Sequence, residues 1–240
     1  MSIRIGLAVY EYRNRDFAFN LNQIEKALKA AETKTDLLCF GEAFLQGFDA
    51  LSWDYNTDAG IAIAQDSSVM QQIIRMSVKY GVDLLLGYIE SCDEKIYSSW
   101  AVIAGGKLIH NYRRISRGWK EYTKTDSHYC EGTTVESFYY KRQKFVIALC
   151  GDMWDYPERF KTDGILLWPV YISYDLHEWP QEEPEYAKKA ASAAKDALIV
   201  NSLFRENEPF SHGGAFYVRS EEVVQKHPYD TEGIMTVSIL

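Results

Sequence analysis

The chain has 240 residues, of which 47% are apolar and 25% charged, a composition typical of a globular protein rather than a disordered one. Its formal net charge of −8 leaves no basic surface to neutralise phosphates, so we expect neither a nucleic-acid nor a membrane partner. The N-terminal segment lacks the apolar region of a signal peptide, and no apolar run reaches membrane-spanning length, which predicts a cytoplasmic protein. Four cysteines without a Cys-x-x-Cys pair predict reduced thiols.

The first half of the chain alternates strand and helix patterns. Asn20 is a plausible N-cap, and Leu21, Ile24, Leu28 and Ala31 follow it at helical spacing. The predicted elements are a strand at 3–9, this helix at 20–31, a strand at 36–40, a helix at 67–79, a strand at 82–88 and a hairpin of 98–104 with 107–111.

The second half repeats this alternation. Its predicted elements are strands at 145–149, 164–168, 197–202, 214–218 and 234–239, a short helix at 157–161 and an alanine-rich helix at 182–195. No linker or low-complexity tract separates the halves, so we predict one domain spanning residues 1–240. The predicted fold class is α/β, with two sheets covered outside by helices in a four-layer α-β-β-α sandwich.

A predicted buried strand ends in a thiol in the second half of the chain. Residues 145–149 form an apolar run before Cys150, and Gly151 and Asp152 then suit a tight turn ahead of Pro157, which can open a helix. We therefore expect Cys150 at a strand-to-helix corner, close to backbone N–H groups that stabilise a thiolate or an oxyanion. The alternative is a buried structural cysteine.

Glu42 follows a predicted buried strand, as Cys150 does. Functional side chains at the ends of neighbouring strands can converge, because ligands bind outside the carboxyl ends of strands in α/β sheets. A carboxylate beside a thiol can accept the thiol proton and return it to a leaving amine, so Glu42 is a candidate general base for a cysteine nucleophile. The alternative is a solvated loop residue.

A dense run of cations follows the predicted hairpin. It contains Arg113, Arg114, Arg117 and Lys120 beside the acid Glu121. A cation aimed at the sheet mouth would stabilise both a thiolate and the oxyanion of a tetrahedral intermediate. The alternative is that the run forms a solvated face.

Three motifs occur in the order Gly41-Glu42, Tyr112-Arg113-Arg114 and Cys150-Gly151-Asp152 with Pro157-Glu158. This order resembles the nitrilase superfamily of carbon–nitrogen hydrolases over nearly the whole chain. Other segments similar to that superfamily are Glu131-Gly132-Thr133 with the run to Phe138, Trp179, residues 190–201 and Ser211-His212-Gly213-Gly214.

The resemblance implies a Glu-Lys-Cys triad on an α-β-β-α sandwich that hydrolyses amides, carbamoyl groups or nitriles. Glu42 matches the family's general base, Cys150 its nucleophile and Glu121 a second glutamate that positions the substrate. The backbone N–H of Gly151 matches an oxyanion donor. The resemblance also implies a homodimer or larger homo-oligomer, a small-molecule substrate, and no metal or organic cofactor.

One position departs from the family pattern, since the family reads Tyr-Arg-Lys where this chain has Arg114. Arginine carries the same charge, but it is bulkier, forked and always protonated. Three alternatives follow: Arg114 takes the role with altered geometry, Lys120 supplies the ammonium, or the usual activity is lost. Of the tryptophans, Trp154 is a further candidate to line the substrate pocket, with core packing as its alternative.

The leading hypothesis is a hydrolase that cleaves a non-peptide C–N bond, in which Glu42 deprotonates Cys150 and Arg114 stabilises the oxyanion. The second hypothesis is a catalytically impaired relative that binds a small molecule or a protein. The third is a thiol redox sensor, for which Cys39 or Cys130 would be the resolving cysteine. The acidic net charge favours neutral or cationic substrates.

Overall fold

The computed structural model describes residues 2–239, and within that range it contains twelve strands and five helices. The strands are β1 (Ile3–Val9), β2 (Leu37–Cys39), β3 (Asp83–Cys92), β4 (Lys95–Ala104), β5 (Lys107–Arg113), β6 (Phe138–Tyr140), β7 (Gln143–Ile147), β8 (Ile165–Val170), β9 (Asp196–Phe204), β10 (Ser211–Arg219), β11 (Glu222–His227) and β12 (Gly233–Ile239). The helices are α1 (Phe17–Ala31), α2 (Tyr55–Asp58), α3 (Ser68–Tyr80), α4 (Asp152–Asp155) and α5 (Trp179–Ala191). A 3₁₀ turn, Pro157–Phe160, follows α4.

The strands form two sheets of six strands each. The first sheet has the order β12-β1-β2-β3-β4-β5, and the second has the order β11-β10-β9-β8-β7-β6. Each sheet has three parallel strands at its centre, β1 to β3 in the first and β7 to β9 in the second, with antiparallel strands on both sides. The central strands are apolar runs because both of their faces are buried.

The two sheets pack face to face around a shared apolar core. Leu7 and Leu85 of the first sheet belong to the same buried cluster as Ile147, Leu167 and Ile199 of the second. Two backbone hydrogen bonds, from Tyr12 N to Leu203 O and from Leu203 N to Tyr10 O, join the two sheets near the C-terminal ends of β1 and β9. Helices α1 and α3 cover the outer face of the first sheet, and α5 covers that of the second. The predicted four-layer α-β-β-α sandwich is therefore confirmed.

The first helix begins earlier than predicted. Asp16, not Asn20, is its N-cap, and the Asp16 carboxylate accepts a hydrogen bond of 2.9 Å from Phe19 N. Asn20 is fully buried inside the helix, where its side-chain amide donates to the carbonyl oxygens of Arg13 and Leu45. Asparagine is a residue type that often caps helices, but the tertiary partners of Asn20 place it inside this helix.

Further elements differ from the prediction, among them helix α2, which no predicted element covers. The edge strands β6 and β11 were missed, because β6 is only three residues long and β11 is mostly polar and exposed. Helix α4 begins at Asp152, immediately after the turn at Cys150, whereas the predicted helix at Pro157 is a separate 3₁₀ turn. Across residues 2–239, no helix has the length and apolar character needed to span a membrane.

Candidate active site

Glu42 lies in the turn that follows β2. Its backbone N–H donates to the carbonyl oxygen of Val170 at the end of β8, at 3.4 Å. Strand β3 approaches this turn so closely that a Cβ atom on Gly87 would lie 2.4 Å from the Gly41 carbonyl oxygen, so a glycine is required there. The next residue, Ala43, has a φ of 49°, a left-handed conformation that costs about 1–2 kcal/mol in a non-glycine residue. The turn is therefore held in one conformation by its packing.

The Glu42 carboxylate is buried, with 1% of the residue exposed. Its Oε1 accepts two hydrogen bonds, one from Ser98 Oγ at 3.1 Å and one from Arg114 Nη1 at 2.8 Å. Its Oε2 is also buried but has no hydrogen-bond partner among residues 2–239. Buried carboxylate oxygens are normally paired, so Oε2 is an acceptor held free at this site.

Arg114 directly follows β5 and is 2% exposed. Its backbone N–H donates to Ser98 O at 2.9 Å, its carbonyl accepts from Gly132 N at 2.8 Å, and its Nε donates to Ser116 Oγ at 2.7 Å. Burial acts to lower the pKa of Arg114, but the charges of Glu42, Cys150 and Asp152 outweigh burial and raise it. Arg114 is therefore a permanent buried cation.

Cys150 is half-buried and lies three residues beyond β7, in a turn where its φ is 39°. Its backbone N–H donates to Pro169 O at 3.0 Å, its carbonyl accepts from Trp168 Nε1 at 2.9 Å, and its Sγ donates to Tyr171 O at 3.7 Å. Burial and the charge of Glu42 raise the pKa of Cys150 to about 12, against the opposing effect of Arg114. The resting group is therefore a thiol.

Glu42, Arg114 and Cys150 converge across the interface between the two sheets. Glu42 and Arg114 follow strands of the first sheet, whereas Cys150 follows a strand of the second. The end of β8 contacts both turns, since Val170 O accepts from Glu42 N and Pro169 O accepts from Cys150 N. The expected convergence of Glu42 and Cys150 at strand ends thus occurs where the mouths of the two facing sheets meet.

Sequence reasoning assigned no site role to Asp152, whose buried carboxylate joins the two turns. Its Oδ1 accepts from Ile115 N at 3.1 Å and Ser116 N at 2.7 Å, and its Oδ2 accepts from Tyr112 Oη at 2.6 Å and Leu149 N at 2.8 Å. Burial raises the pKa of Asp152, while Arg114 and these hydrogen bonds lower it, and burial prevails. Asp152 therefore sets the position of the Arg114 turn relative to the Cys150 turn.

Asn201 is a second site residue that sequence reasoning missed. It is fully buried in β9, and its side chain bonds both backbone groups of Ile172, accepting from N at 3.2 Å and donating to O at 2.9 Å. This contact fixes the segment that carries Tyr171, whose carbonyl meets the Cys150 thiol. The signal in the sequence was a single amide within an otherwise apolar strand.

Lys120 and Glu121 lie in the loop after the Arg114 turn. The Lys120 side chain is 7% exposed, donates to Tyr129 O and forms an ion pair of 3.0 Å with Glu131. Glu121 is exposed, and its carboxylate makes no hydrogen bond or ion pair within residues 2–239. The cation that contacts Glu42 is therefore Arg114 rather than Lys120, and the role predicted for Glu121 stays a prediction.

Gly151 and Trp154 follow Cys150. Gly151 lies beside the guanidinium of Arg114. Trp154 is 38% exposed, and its indole packs against the rings of Trp168 and Tyr186 rather than against Glu42 or Arg114. The part of the chain that the structure describes contains no group of three or more His, Cys, Asp or Glu side chains arranged to hold a metal ion.

Comparisons with known proteins identify the family. The carbon-nitrogen hydrolase model matches residues 4–163. The glutamine-dependent NAD(+) synthetase of Thermotoga maritima is 31% identical over 115 residues, which are 48% of this chain and 19% of that protein. The chain thus corresponds to only a small part of this curated relative.

Solved structures with this fold cover almost the whole chain. A glutamine-dependent NAD+ synthetase from Acinetobacter baumannii, in complex with ADP, has a TM-score of 0.80 at 17% identity, covering 99% of this chain and 45% of that one. A cysteine-to-alanine mutant of an amidase from Nesterenkonia AN1, of the nitrilase superfamily, has a TM-score of 0.79 at 16% identity, covering 99% and 90%. At these identities the likeness establishes the fold.

Proposed function

Because the chain belongs to the carbon-nitrogen hydrolase family, we propose that it is a cysteine hydrolase that cleaves a non-peptide C–N bond in a small amide, ω-amide, N-carbamoyl amine or nitrile. One observation carries the proposal: a buried carboxylate oxygen, Glu42 Oε2, is left without a partner at the place where Arg114 and Cys150 converge. A buried acceptor of this kind suits transient proton transfer better than structural pairing.

In the first half of the reaction, Glu42 accepts the thiol proton while Cys150 Sγ attacks the substrate carbon. For an amide, the carbonyl π electrons move to the oxygen, and for a nitrile, the C–N π electrons move to the nitrogen. Arg114 and the Gly151 N–H stabilise the negative charge on that atom. For an amide, the tetrahedral intermediate then expels the amine, which takes the proton from Glu42 and leaves a thioester on Cys150.

In the second half, water attacks the thioester carbon and Glu42 accepts a proton from that water. The C–S bond breaks, the acid is released and the proton returns to the Cys150 sulfur. Because the pKa of Cys150 is raised to about 12 by burial and by Glu42, deprotonation must accompany attack, and this requires a base in contact with the thiol. The same raised pKa argues against the redox-sensor hypothesis, which needs a thiolate at neutral pH.

Primary carboxamides are the first substrates to test. One relative is a glutamine-dependent synthetase and one structural neighbour is an amidase, and the net charge of −8 favours neutral or cationic molecules.

We also propose that the protein is cytoplasmic and forms a homodimer or larger homo-oligomer. Light scattering after size-exclusion chromatography measures the oligomeric state directly.

Intact-mass spectrometry of wild type and Cys150→Ser tests the hydrolase. Both proteins are incubated with glutamine, simple aliphatic amides, N-carbamoyl amines and nitriles, and ammonia release is followed in parallel. We expect an acyl adduct on the wild type alone, with ammonia release that depends on Cys150. Ammonia release by Cys150→Ser equal to that of wild type would contradict the mechanism.

A catalytically silent binding module is the second candidate, and the observation that favours it is Arg114, which stands where the family pattern has lysine. Arg114→Lys separates the two candidates. A large gain in turnover would mark a degraded enzyme, whereas a loss would mark Arg114 as the cation to which this site is adapted.

A further inference from the structure

Gly151 is a glycine that its own backbone does not require. Its φ of −60° and ψ of −15° lie in the right-handed helical region, which every L-residue adopts without strain. A Cβ atom at this position would lie 2.5 Å from Arg114 Nη2 and 3.1 Å from Ser116 Oγ. The reason for glycine is therefore the space that the guanidinium of Arg114 occupies.

Two other residues complete the fit around the same guanidinium. A Cβ atom on Gly118 would lie 3.3 Å from Arg114 Nη2, so a second glycine faces the same nitrogen. Ser116 is fully buried, and its Oγ accepts from Arg114 Nε at 2.7 Å. The Ser116 backbone N–H is itself fixed by Asp152 at 2.7 Å, so this hydroxyl is held in place before it meets the arginine.

A lysine at position 114 would match these features less closely than arginine does. An ammonium has no Nε–H for Ser116 and no second terminal nitrogen to fill the space between the two glycines. It would leave a buried hydroxyl without its partner and a gap beside Gly151. Arginine, in contrast, reaches Glu42 through Nη1 and Ser116 through Nε, while Nη2 lies beside the two glycines.

We infer that Ser116, Gly118 and Gly151 form a cradle shaped for arginine at position 114, and that Ser116 is a positioning residue that holds the guanidinium against Glu42. The fit is a property of the folded chain alone. Its consequence for catalysis rests on the proposed function, in which this guanidinium stabilises the developing charge.

A double-mutant cycle between Gly151→Ala and Arg114→Lys tests the fit through thermal unfolding, which needs no substrate. In the wild-type background the added methyl group forces the guanidinium away, and overpacking of this kind lowers Tm by roughly 3–10 °C in a chain of this size. In the Arg114→Lys background, where Nη2 is absent, we expect Gly151→Ala to lower Tm much less. Gly60→Ala is the matched control, because a Cβ there meets only Thr57 O at an ordinary 3.5 Å.

Ser116→Ala tests the positioning role through the Cys150 thiol. Arg114 lowers the pKa of Cys150, so a guanidinium that drifts from its place lets that pKa rise. A rise of about one pH unit slows iodoacetamide labelling of Cys150 about tenfold at a fixed pH, and the whole pH profile moves to higher pH. A merely structural serine would change Tm without moving this profile.

Either of two results would overturn the inference: additive Tm changes in the cycle, or an unchanged labelling profile in Ser116→Ala. The hydrolase proposal fails separately, through ammonia release that does not depend on Cys150. An arginine cradle in a protein without hydrolase activity would therefore still be detected.

Discussion

Arg113 and Arg114 are neighbours in the chain, yet each pairs with a different buried glutamate and the two pairs are built differently. Arg113 binds Glu90 through two parallel hydrogen bonds, Nε to Oε2 at 2.9 Å and Nη2 to Oε1 at 2.7 Å. Arg114 contacts Glu42 through a single bond to Oε1. The two arginines diverge because successive side chains at the end of a strand point to opposite faces of the sheet.

The two carboxylates also differ in how completely they are paired. Glu90 accepts further hydrogen bonds from Ser99 Oγ at 2.6 Å, Asn111 Nδ2 at 2.9 Å and Gln65 Nε2 at 2.7 Å, so both of its oxygens are fully used. Burial raises the pKa of Glu90, but the bonds from Arg113, Ser99 and Gln65 outweigh burial and the pKa is lowered. Glu42 Oε2, in contrast, has no partner among the described residues.

Equal burial therefore does not mean an equal role. A carboxylate whose oxygens are all paired stabilises the fold and is a poor base, because each lone pair is already engaged. A carboxylate with one oxygen left free can receive a proton without breaking any existing bond. The contrast between Glu90 and Glu42 separates a structural ion pair from one suited to chemistry.

Glu42→Gln and Glu90→Gln should differ in turnover, and this is the largest effect we expect. Loss of a general base lowers turnover by about 10²–10⁴-fold, so Glu42→Gln should be nearly inactive, whereas folded Glu90→Gln should keep its turnover. Both variants remove the counter-charge of an arginine, so both should lose stability. Glu90→Gln leaves Arg113 without a counter-charge and places an amide among donors, which costs about 3–5 kcal/mol of unfolding free energy. Urea unfolding and ammonia release measure the two effects separately.

The same pair of variants makes a second distinction at Cys150. The negative charge of Glu42 raises the pKa of the Cys150 thiol, so Glu42→Gln should lower that pKa and accelerate iodoacetamide labelling even as turnover falls. Glu90→Gln should leave the labelling rate at Cys150 unchanged. An unchanged labelling rate in Glu42→Gln would show that Glu42 does not act on the thiol, whereas slower labelling would show that its action as a base outweighs the effect of its charge.

The sequence predicted the elements whose apolar pattern determines their structure. Strands such as β1 and β8 are buried on both faces, and the amphipathic helix α3 carries a serine N-cap, so local pattern and tertiary packing agree. The edge strand β11 has an exposed, mostly polar sequence, and its pairing with β10 depends on the turn between them. Such a strand has no apolar period to detect.

The residues of the candidate site likewise fall into those that the sequence predicted and those that only the structure shows. The motif order brought Glu42, Arg114 and Cys150 forward, and the structure places them together, although their chemical roles remain proposals. Asp152 and Asn201 were missed because their partners lie up to 40 residues away in the chain, so only the folded structure shows what they join. A buried polar residue next to a motif is a signal that sequence reasoning can use only after burial is known.

Asp152→Asn tests the same comparison with a smaller expected effect. Asp152 lies within the candidate site, and both of its carboxylate oxygens are fully hydrogen-bonded. All four of its partners are donors, and an asparagine can accept from only one side while its NH₂ group faces two of them. We expect a loss of about 1–3 kcal/mol in unfolding free energy, measured in urea. If a fully hydrogen-bonded carboxylate has only a structural role, the pH profile of turnover should be the same in Asp152→Asn as in wild type. A shifted pH profile would show that Asp152 titrates during the reaction.

Substitution of Asp36 should change the unfolding free energy least. Its carboxylate is fully hydrogen-bonded like that of Glu90, but it lies near the surface. It accepts from Arg4 N at 2.8 Å and from Lys141 Nζ at 3.0 Å, and so connects β1 of one sheet to the β6–β7 turn of the other. Burial acts to raise the pKa of Asp36, but the bonds from Arg4 and Lys141 prevail and lower it from 3.8 to about 2.

A carboxylate whose pKa is lowered in the folded state stabilises the protein above the unfolded value of 3.8, and this contribution disappears as the pH falls through about 2. Solvent screening of the partly exposed Arg4 and Lys141 limits the contribution to about 1–2 kcal/mol. The difference in unfolding free energy between wild type and Asp36→Asn should therefore be full at pH 7 and fall to about half at pH 3. A difference that stayed constant between these two pH values would mean that Asp36 stabilises the fold through its hydrogen bonds alone, and that its charge, unlike that of Glu90, adds nothing at the surface.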